Sequence, residues 1–339
     1  MTIPASQRPD RTTPQLHAAF SHHPFDRVAA ADLGISPERL ERACDRGGLL
    51  RIGKGWYVIN PEGSRRHAAG LDYAIGSTAV ARLQVLQAEN SGAAACATTS
   101  AALLSLSTPP HRVANPEEPE IVFVNGSPGK RGRRLLARAR RWNVPEHHVM
   151  VGPHGILMTT PLRTAIDLAR GLPLPFALVS LDAAMRMEVL DGRVEADVRA
   201  ELASLLADIH RSHGMKAVAH ALPFVEAGAE SPLESIVRGR IIEARLPRPT
   251  TQVPLVGASG RHYRGDLGLD LPHTPPGTFG LIIEADGMLK YAEERGWLEE
   301  KSRQQDLERV GHQFVRVTYV EGVSRPAPFL AHIRKILRD

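Results

Sequence analysis

Cysteine is nearly missing: Cys44 and Cys96 are the only two in 339 residues, far apart and without metal-ligand spacing. The sequence therefore indicates neither a disulfide framework nor a zinc site, and a reducing compartment suits it. Long apolar runs are missing too. None approaches the roughly 18–20 residues that cross a bilayer, and the first residues lack a cationic-then-apolar leader, so a cytoplasmic protein with no membrane partner is expected. Aromatic residues make up only 5% of the chain, and Tyr73, Trp142 and Trp297 are scattered in a way that suits packing better than base stacking. There is no phosphate-cradling Gly-rich loop ending in Lys-Ser/Thr, no G-x-S-x-G elbow and no Cys-His pairing. ATP hydrolysis and acyl transfer thus lack their usual machinery. Charge of one sign is in only mild excess, 42 Lys and Arg against 37 Asp and Glu, which permits a polyanionic partner without demanding one.

What is present reads as an α+β multidomain chain, with an expected disordered tail over 1–14 and domains over 15–66, 67–228 and 229–339. In the first domain, Ser36-Pro37-Glu38 opens a helix with a hydroxyl cap, a proline at the first helical position and an acid in the first turn. LLRIGKGWYVI follows as a hairpin turning at Gly53-Lys54-Gly55. Helix, turn, helix and a two-stranded wing form the winged helix-turn-helix pattern. Its second helix enters the major groove, so Ser36, Arg39 and Arg42 are the candidates near base edges, with Arg51 and Lys54 on phosphates or the minor groove. The same module used only for protein contact is the alternative.

The middle segment alternates helical and strand patterns around KRGRRLLARARR. Lys130, Arg131, Arg133 and Arg134 lead that run, which is either a solvated face or a phosphate-binding surface. The order of winged module, SAALL helix, apolar PEIVFV strand, TTPLRTAIDLA helix and LVSLDAAMR helix resembles the AbiEi-type antitoxins of type IV toxin–antitoxin systems over about residues 15–210. That resemblance implies a double-stranded DNA partner, repression of the protein's own promoter, and a cognate nucleotidyltransferase toxin as a second partner.

The last segment carries four acids on three consecutive elements. Glu234 lies on a helix begun by Ser231-Pro232 in a capping-box arrangement, Asp266 lies on a strand, and Glu284 and Asp286 end a strongly apolar strand. Together they suit a divalent-metal site. The strings SPLES, IIEADG followed by LKY, and EEKSRQQDLERVGHQFVRVT, with the strand holding Asp266, resemble the PD-(D/E)XK nuclease fold and its very-short-patch-repair-like domains, over about residues 229–320. The resemblance implies a restriction-endonuclease-like α/β core in which Asp266, Glu284 and Glu234 hold Mg²⁺ or Mn²⁺ to polarise a phosphodiester. It also places a lysine where this chain has Asp286. Lys290 or Lys301 is the expected substitute, with Gln252 orienting a water. Two functions are thus expected: a DNA-binding, antitoxin-like regulator with a catalytically degenerate nuclease domain, or a metal-dependent DNA endonuclease steered by the winged module and used in phage defence.

Overall fold

The computed structural model of the chain describes residues 12–60, 77–89, 92–115, 117–125, 137–142, 144–272, 274, 278–286 and 294–338. It is a mixed α+β multidomain protein that divides into two compact units, Met1–Ser105 with Val113–Thr164, and Leu106–Arg112 with Ala165–Asp339. No helix among the described residues is long and apolar enough to cross a membrane.

The first unit begins with α1 (Thr12–Phe20), a two-residue strand β1 (Phe25–Asp26), α2 (Arg27–Asp32) and α3 (Pro37–Asp45), followed by β2 (Leu49–Gly53) and β3 (Trp56–Ile59). The short strand and the hairpin form one antiparallel sheet of order β1-β3-β2. Asp26 starts α2 by accepting the amide of Ala29 at 2.8 Å, the usual device for an orphan donor at a helix start. The hairpin turns where Gly55 adopts φ +80°, a conformation that costs a side-chain-bearing residue more. Leu16, Phe25, Ala30, Ile35, Leu40, Ala43, Leu49, Tyr57 and Ile59 fill the space between helices and sheet.

The unit continues through α4 (Thr78–Glu89), β4 (Ala93–Ala95), α5 (Ala97–Leu104), β5 (Glu120–Phe123), β6 (Arg138–Ala139), β7 (Val149–Val151) and β8 (Leu157–Thr159). Its strands form a mixed sheet of order β6-β5-β4-β8-β7. Pro161–Ala169 is α6, whose first turn Thr160 caps through the amide of Arg163.

The second unit holds α7 (Leu174–Leu190), α8 (Glu195–Ile209), α9 (Met215–Ala221) and α10 (Pro232–Glu243). These precede β9 (Thr250–Val256), β10 (His262–Leu269), β11 (Leu281–Asp286), α11 (Glu294–Glu308) and β12 (Gln313–Thr318), and the unit closes with α12 (Tyr319–Val323) and α13 (Ala327–Ile336). The sheet order is β12-β11-β10-β9. β11 and β12 run parallel, and β10 is antiparallel to both neighbours. Leu267, Leu269, Ile283, Val315 and Val317 pack against Leu233, Val237 and Ile241 of α10 and Phe329 and Ile333 of α13. A second cluster joins Val253, Leu255 and Ile282 to Leu307 of α11. α10 approaches α7 so closely that a Cβ on Gly239 would lie 2.5 Å from Cα of Pro175.

Two local expectations change. Ser36 occupies the cap position of α3, but its side chain makes no cap hydrogen bond; it bonds the Glu38 carboxylate instead, which keeps that carboxyl below its ordinary pKa. The capping box at α10 is half made: Ser231 Oγ accepts the Glu234 amide at 3.2 Å, while the Glu234 carboxylate takes the amide of Glu230 rather than that of Ser231. The closing strand stops at Thr318, because Thr318 and Glu321 cap one another and turn Tyr319-Val320 into helix.

Candidate functional site

Four side chains in the second unit stand in one row across its sheet. The rungs Gly265↔Val253 and Leu267↔Thr251 put Gln252 across from Asp266 on one side, and continuing past Leu267↔Ile283 puts Glu284 across from Asp266 on the other. Arg316 is the direct parallel partner of Glu284 on β12. Glu234 reaches the row from the first turn of α10: its Oε2 accepts Gln252 Nε2 at 3.0 Å and the Glu230 amide at 2.9 Å. Gln252 has φ +52°, a strained value for a non-glycine residue within a strand. The acids expected to cooperate are therefore assembled at neighbouring positions by α10, β10 and β11.

Their electrostatics are unusual for surface carboxylates. Burial pushes the Glu234 carboxyl above its ordinary pKa, and the charge of Asp266 adds to that push against its hydrogen bonds. Burial likewise raises Asp266, although the Ala285 amide, donating to Oδ2 at 2.9 Å, and the charge of Arg303 oppose it. Glu284 is compensated outright. Arg303 Nη1 of α11 donates to Oε1 at 2.7 Å, and Arg316 Nε lies 3.5 Å from Oε2. Arg303 also donates through Nη2 to the carbonyl of Arg264 on β10 at 2.9 Å, so one guanidinium spans two strands of the sheet. Beside the row, Glu230 is bracketed by Arg186 and Arg264, each at 2.8 Å.

These donors do not match what Mg²⁺ or Mn²⁺ requires. A small hard cation wants several oxygens at about 2.0–2.1 Å in near-octahedral array. Here the oxygens of Glu234, Asp266 and Glu284 do not all lie within 4.8 Å of one another, and both oxygens of Glu284 face guanidinium groups. Asp286 ends β11 exposed, in register with Thr318. Lys301 is exposed on α11, and Lys290 lies outside the described residues. The sequence gives no sign of Arg303 and Arg316 as partners of Glu284: no spacing rule links them to a glutamate 19 and 32 positions earlier.

The second candidate surface lies in the first unit. Arg42, Arg46, Arg51 and Lys54 are exposed on α3, its end and the hairpin. Ser36 and Arg39 are half-buried, and Arg39 is spent locally, donating to Thr12 Oγ1 at 3.3 Å and to the Gly34 carbonyl at 3.2 Å. The open side of α3 is mixed in sign, since Glu38, Glu41 and Asp45 are exposed beside the arginines. Of the basic run, Lys130, Arg131, Arg133 and Arg134 lie outside the described residues. Arg140 is engaged inside the unit, pairing with Glu120 and lying over the Trp142 ring at 5.4 Å.

In class this is a two-unit α+β protein carrying a half-buried acid–arginine row in one unit and, in the other, a helix-and-hairpin surface of mixed charge with four exposed cations. No family model matches it. Two curated relatives, Uncharacterized protein MT2308 of Mycobacterium tuberculosis strain CDC 1551 / Oshkosh and Uncharacterized protein Rv2248 of strain H37Rv, are each 27% identical over 303 residues, covering 89% of this chain and 97% of theirs. Among solved structures, the crystal structure of RV2827C protein from Mycobacterium tuberculosis is similar at 14% identity with a TM-score of 0.41, covering 72% of this chain and 83% of that one.

Proposed function

We propose that this protein is a duplex-DNA-binding regulator of the AbiEi antitoxin type. In this reading α2, α3 and the β2–β3 hairpin work as a winged helix-turn-helix, the middle segment contacts a cognate nucleotidyltransferase toxin, and the C-terminal sheet is a PD-(D/E)XK core kept as a platform. The observation that carries the reading is the cluster of exposed cations Arg42, Arg46, Arg51 and Lys54 on a helix and the hairpin that follows it. The mixed sign of α3 assigns the work: Arg51 and Lys54 supply sequence-independent phosphate attraction, while α3 offers both donors and acceptors to base edges. The pairing of Glu284 with Arg303 and Arg316 favours recognition over cleavage.

Electrophoretic mobility shift with duplex from upstream of the protein's own gene tests this. Retardation should weaken steeply with salt, survive Asp266→Ala with Glu284→Ala, and fall in Arg42→Ala. Absence of retardation at low salt would sink the DNA-binding reading. Mg²⁺-dependent nicking lost in Asp266→Ala would replace it with the endonuclease reading.

A further inference from the structure

We infer that Arg303 and Arg316 are a built-in counter-cation of the C-terminal sheet, occupying the electrostatic place of a divalent ion at Glu284 and keeping this centre from binding one. The inference rests on reading the acid row as nuclease-derived, but it does not depend on DNA binding.

Glu234, Asp266 and Glu284 come from adjacent elements and are held out of bulk water, an arrangement that like charges oppose unless something positive stands among them. In a metal centre that positive charge is the ion. Here two guanidiniums lie against Glu284, one on each carboxylate oxygen. They are not loose surface arginines. Arg303 is anchored on the Arg264 carbonyl as well as on Glu284, and Arg316 donates through Nη2 to Gln304 Oε1 at 3.2 Å. Held at both ends, each side chain gives up little additional freedom in keeping its pairing with Glu284.

The wider charge count agrees. Glu230 pairs with Arg186 and Arg264, and Glu284 with Arg303 and Arg316, so four guanidiniums stand among the four acids Glu230, Glu234, Asp266 and Glu284. The other acids are engaged too: Glu234 Oε2 accepts two hydrogen bonds, and Asp266 Oδ2 accepts the Ala285 amide. A cation entering between Asp266 and Glu284 would have to displace Arg303, which is anchored on both the Glu284 carboxylate and the Arg264 carbonyl, and Mg²⁺ accepts distorted geometry poorly.

The test uses the full chain, Mn²⁺ as probe, and two readouts: isothermal titration and thermal melting with and without EDTA. Wild-type protein is expected to show no saturable Mn²⁺ step that Glu284→Gln removes and no difference in melting temperature between Mn²⁺ and EDTA that depends on Glu284. Arg303→Gln with Arg316→Gln should melt lower in EDTA, gain a single saturable Mn²⁺ site, and recover melting temperature as Mn²⁺ rises. Adding Glu284→Gln should abolish that gain. A wild-type Mn²⁺ site that Glu284→Gln removes would overturn the inference, and so would a folded double variant that gains no site. If the double variant does not fold, Arg303→Gln alone, which removes the arginine anchored on both Glu284 and the Arg264 carbonyl, takes its place under the same two criteria. DNA is not in the assay, so either failure leaves the DNA-binding reading standing.

Discussion

Replacing Arg238 by Met should be among the most damaging single changes in the second unit, and its size follows from burial. Arg238 on α10 and Asp182 on α7 are 0% and 1% exposed, and Nη2 meets Oδ2 at 2.6 Å. Arg238 Nη1 also donates to the Phe224 carbonyl at 2.6 Å, and Asp182 Oδ1 accepts the Glu226 amide at 3.1 Å. Methionine keeps much of the side-chain volume but strands a carboxylate without a cation, and removing one partner of a buried pair costs about 3–5 kcal/mol. For a folding unit of this size that corresponds to roughly 8–15 °C in melting temperature. Burial already pushes the Asp182 carboxyl above its ordinary pKa, with Arg238 pulling the other way, so losing Arg238 raises it further. A carboxyl raised in the folded state binds its proton more tightly folded than unfolded. The deficit of Arg238→Met should therefore be largest at neutral pH and shrink as pH falls and Asp182 takes up a proton. Urea or calorimetric melts of the full chain at two pH values measure this. Adding Asp182→Leu should restore more than half of the loss, because a packed apolar pair can match a buried ion pair. A single variant within about 1 kcal/mol of wild type would refute the reasoning.

Asp266→Asn should raise the melting temperature at neutral pH. The Asp266 carboxyl is raised by burial, so its ionised form is a cost above the raised pKa, and the gain should fade as pH drops toward the ordinary carboxylate range. A melt in which Asp266→Asn is the less stable at neutral pH contradicts that sign. Gly239→Ala should destabilise by about 1–3 kcal/mol although alanine favours helix, because the new Cβ would press on the backbone of Pro175; equal or higher stability in a urea melt would show that α10 and α7 can separate freely. Arg51→Ala with Lys54→Ala should lower the slope of log affinity against log salt by up to about 2, while Arg42→Ala should cost roughly 1–3 kcal/mol on the best sequence and relax preference at one position. Anisotropy titrations over a salt series separate the two behaviours.

The acid row was legible because its members sit where local chemistry is loud. Glu234 follows a Ser-Pro helix start, Asp266 precedes the apolar half of its strand and Glu284 follows the apolar run of the next, so element type and order are enough to bring them together. What answers them was silent. Arg303 and Arg316 lie on a charged helix and an alternating strand where arginine is ordinary, and only the parallel register of β11 with β12 makes Arg316 the partner of Glu284. The Arg238–Asp182 pair joins helices 56 residues apart and leaves no periodic trace. α12 is different, since Thr318 and Glu321 spell a capping box in the sequence itself. Arg39 shows the limit of position-based reading: it stands on the expected helix, but its guanidinium is turned to Thr12 and Gly34.

The most direct test of the account is one anisotropy titration of the full chain against duplex from upstream of its own gene, run in EDTA and again in Mg²⁺, with the DNA from both recovered on a denaturing gel. The expected result is the same affinity in both, a steep loss with added salt, and intact strands throughout. Strands cut only in Mg²⁺, or no binding at low salt, would contradict it.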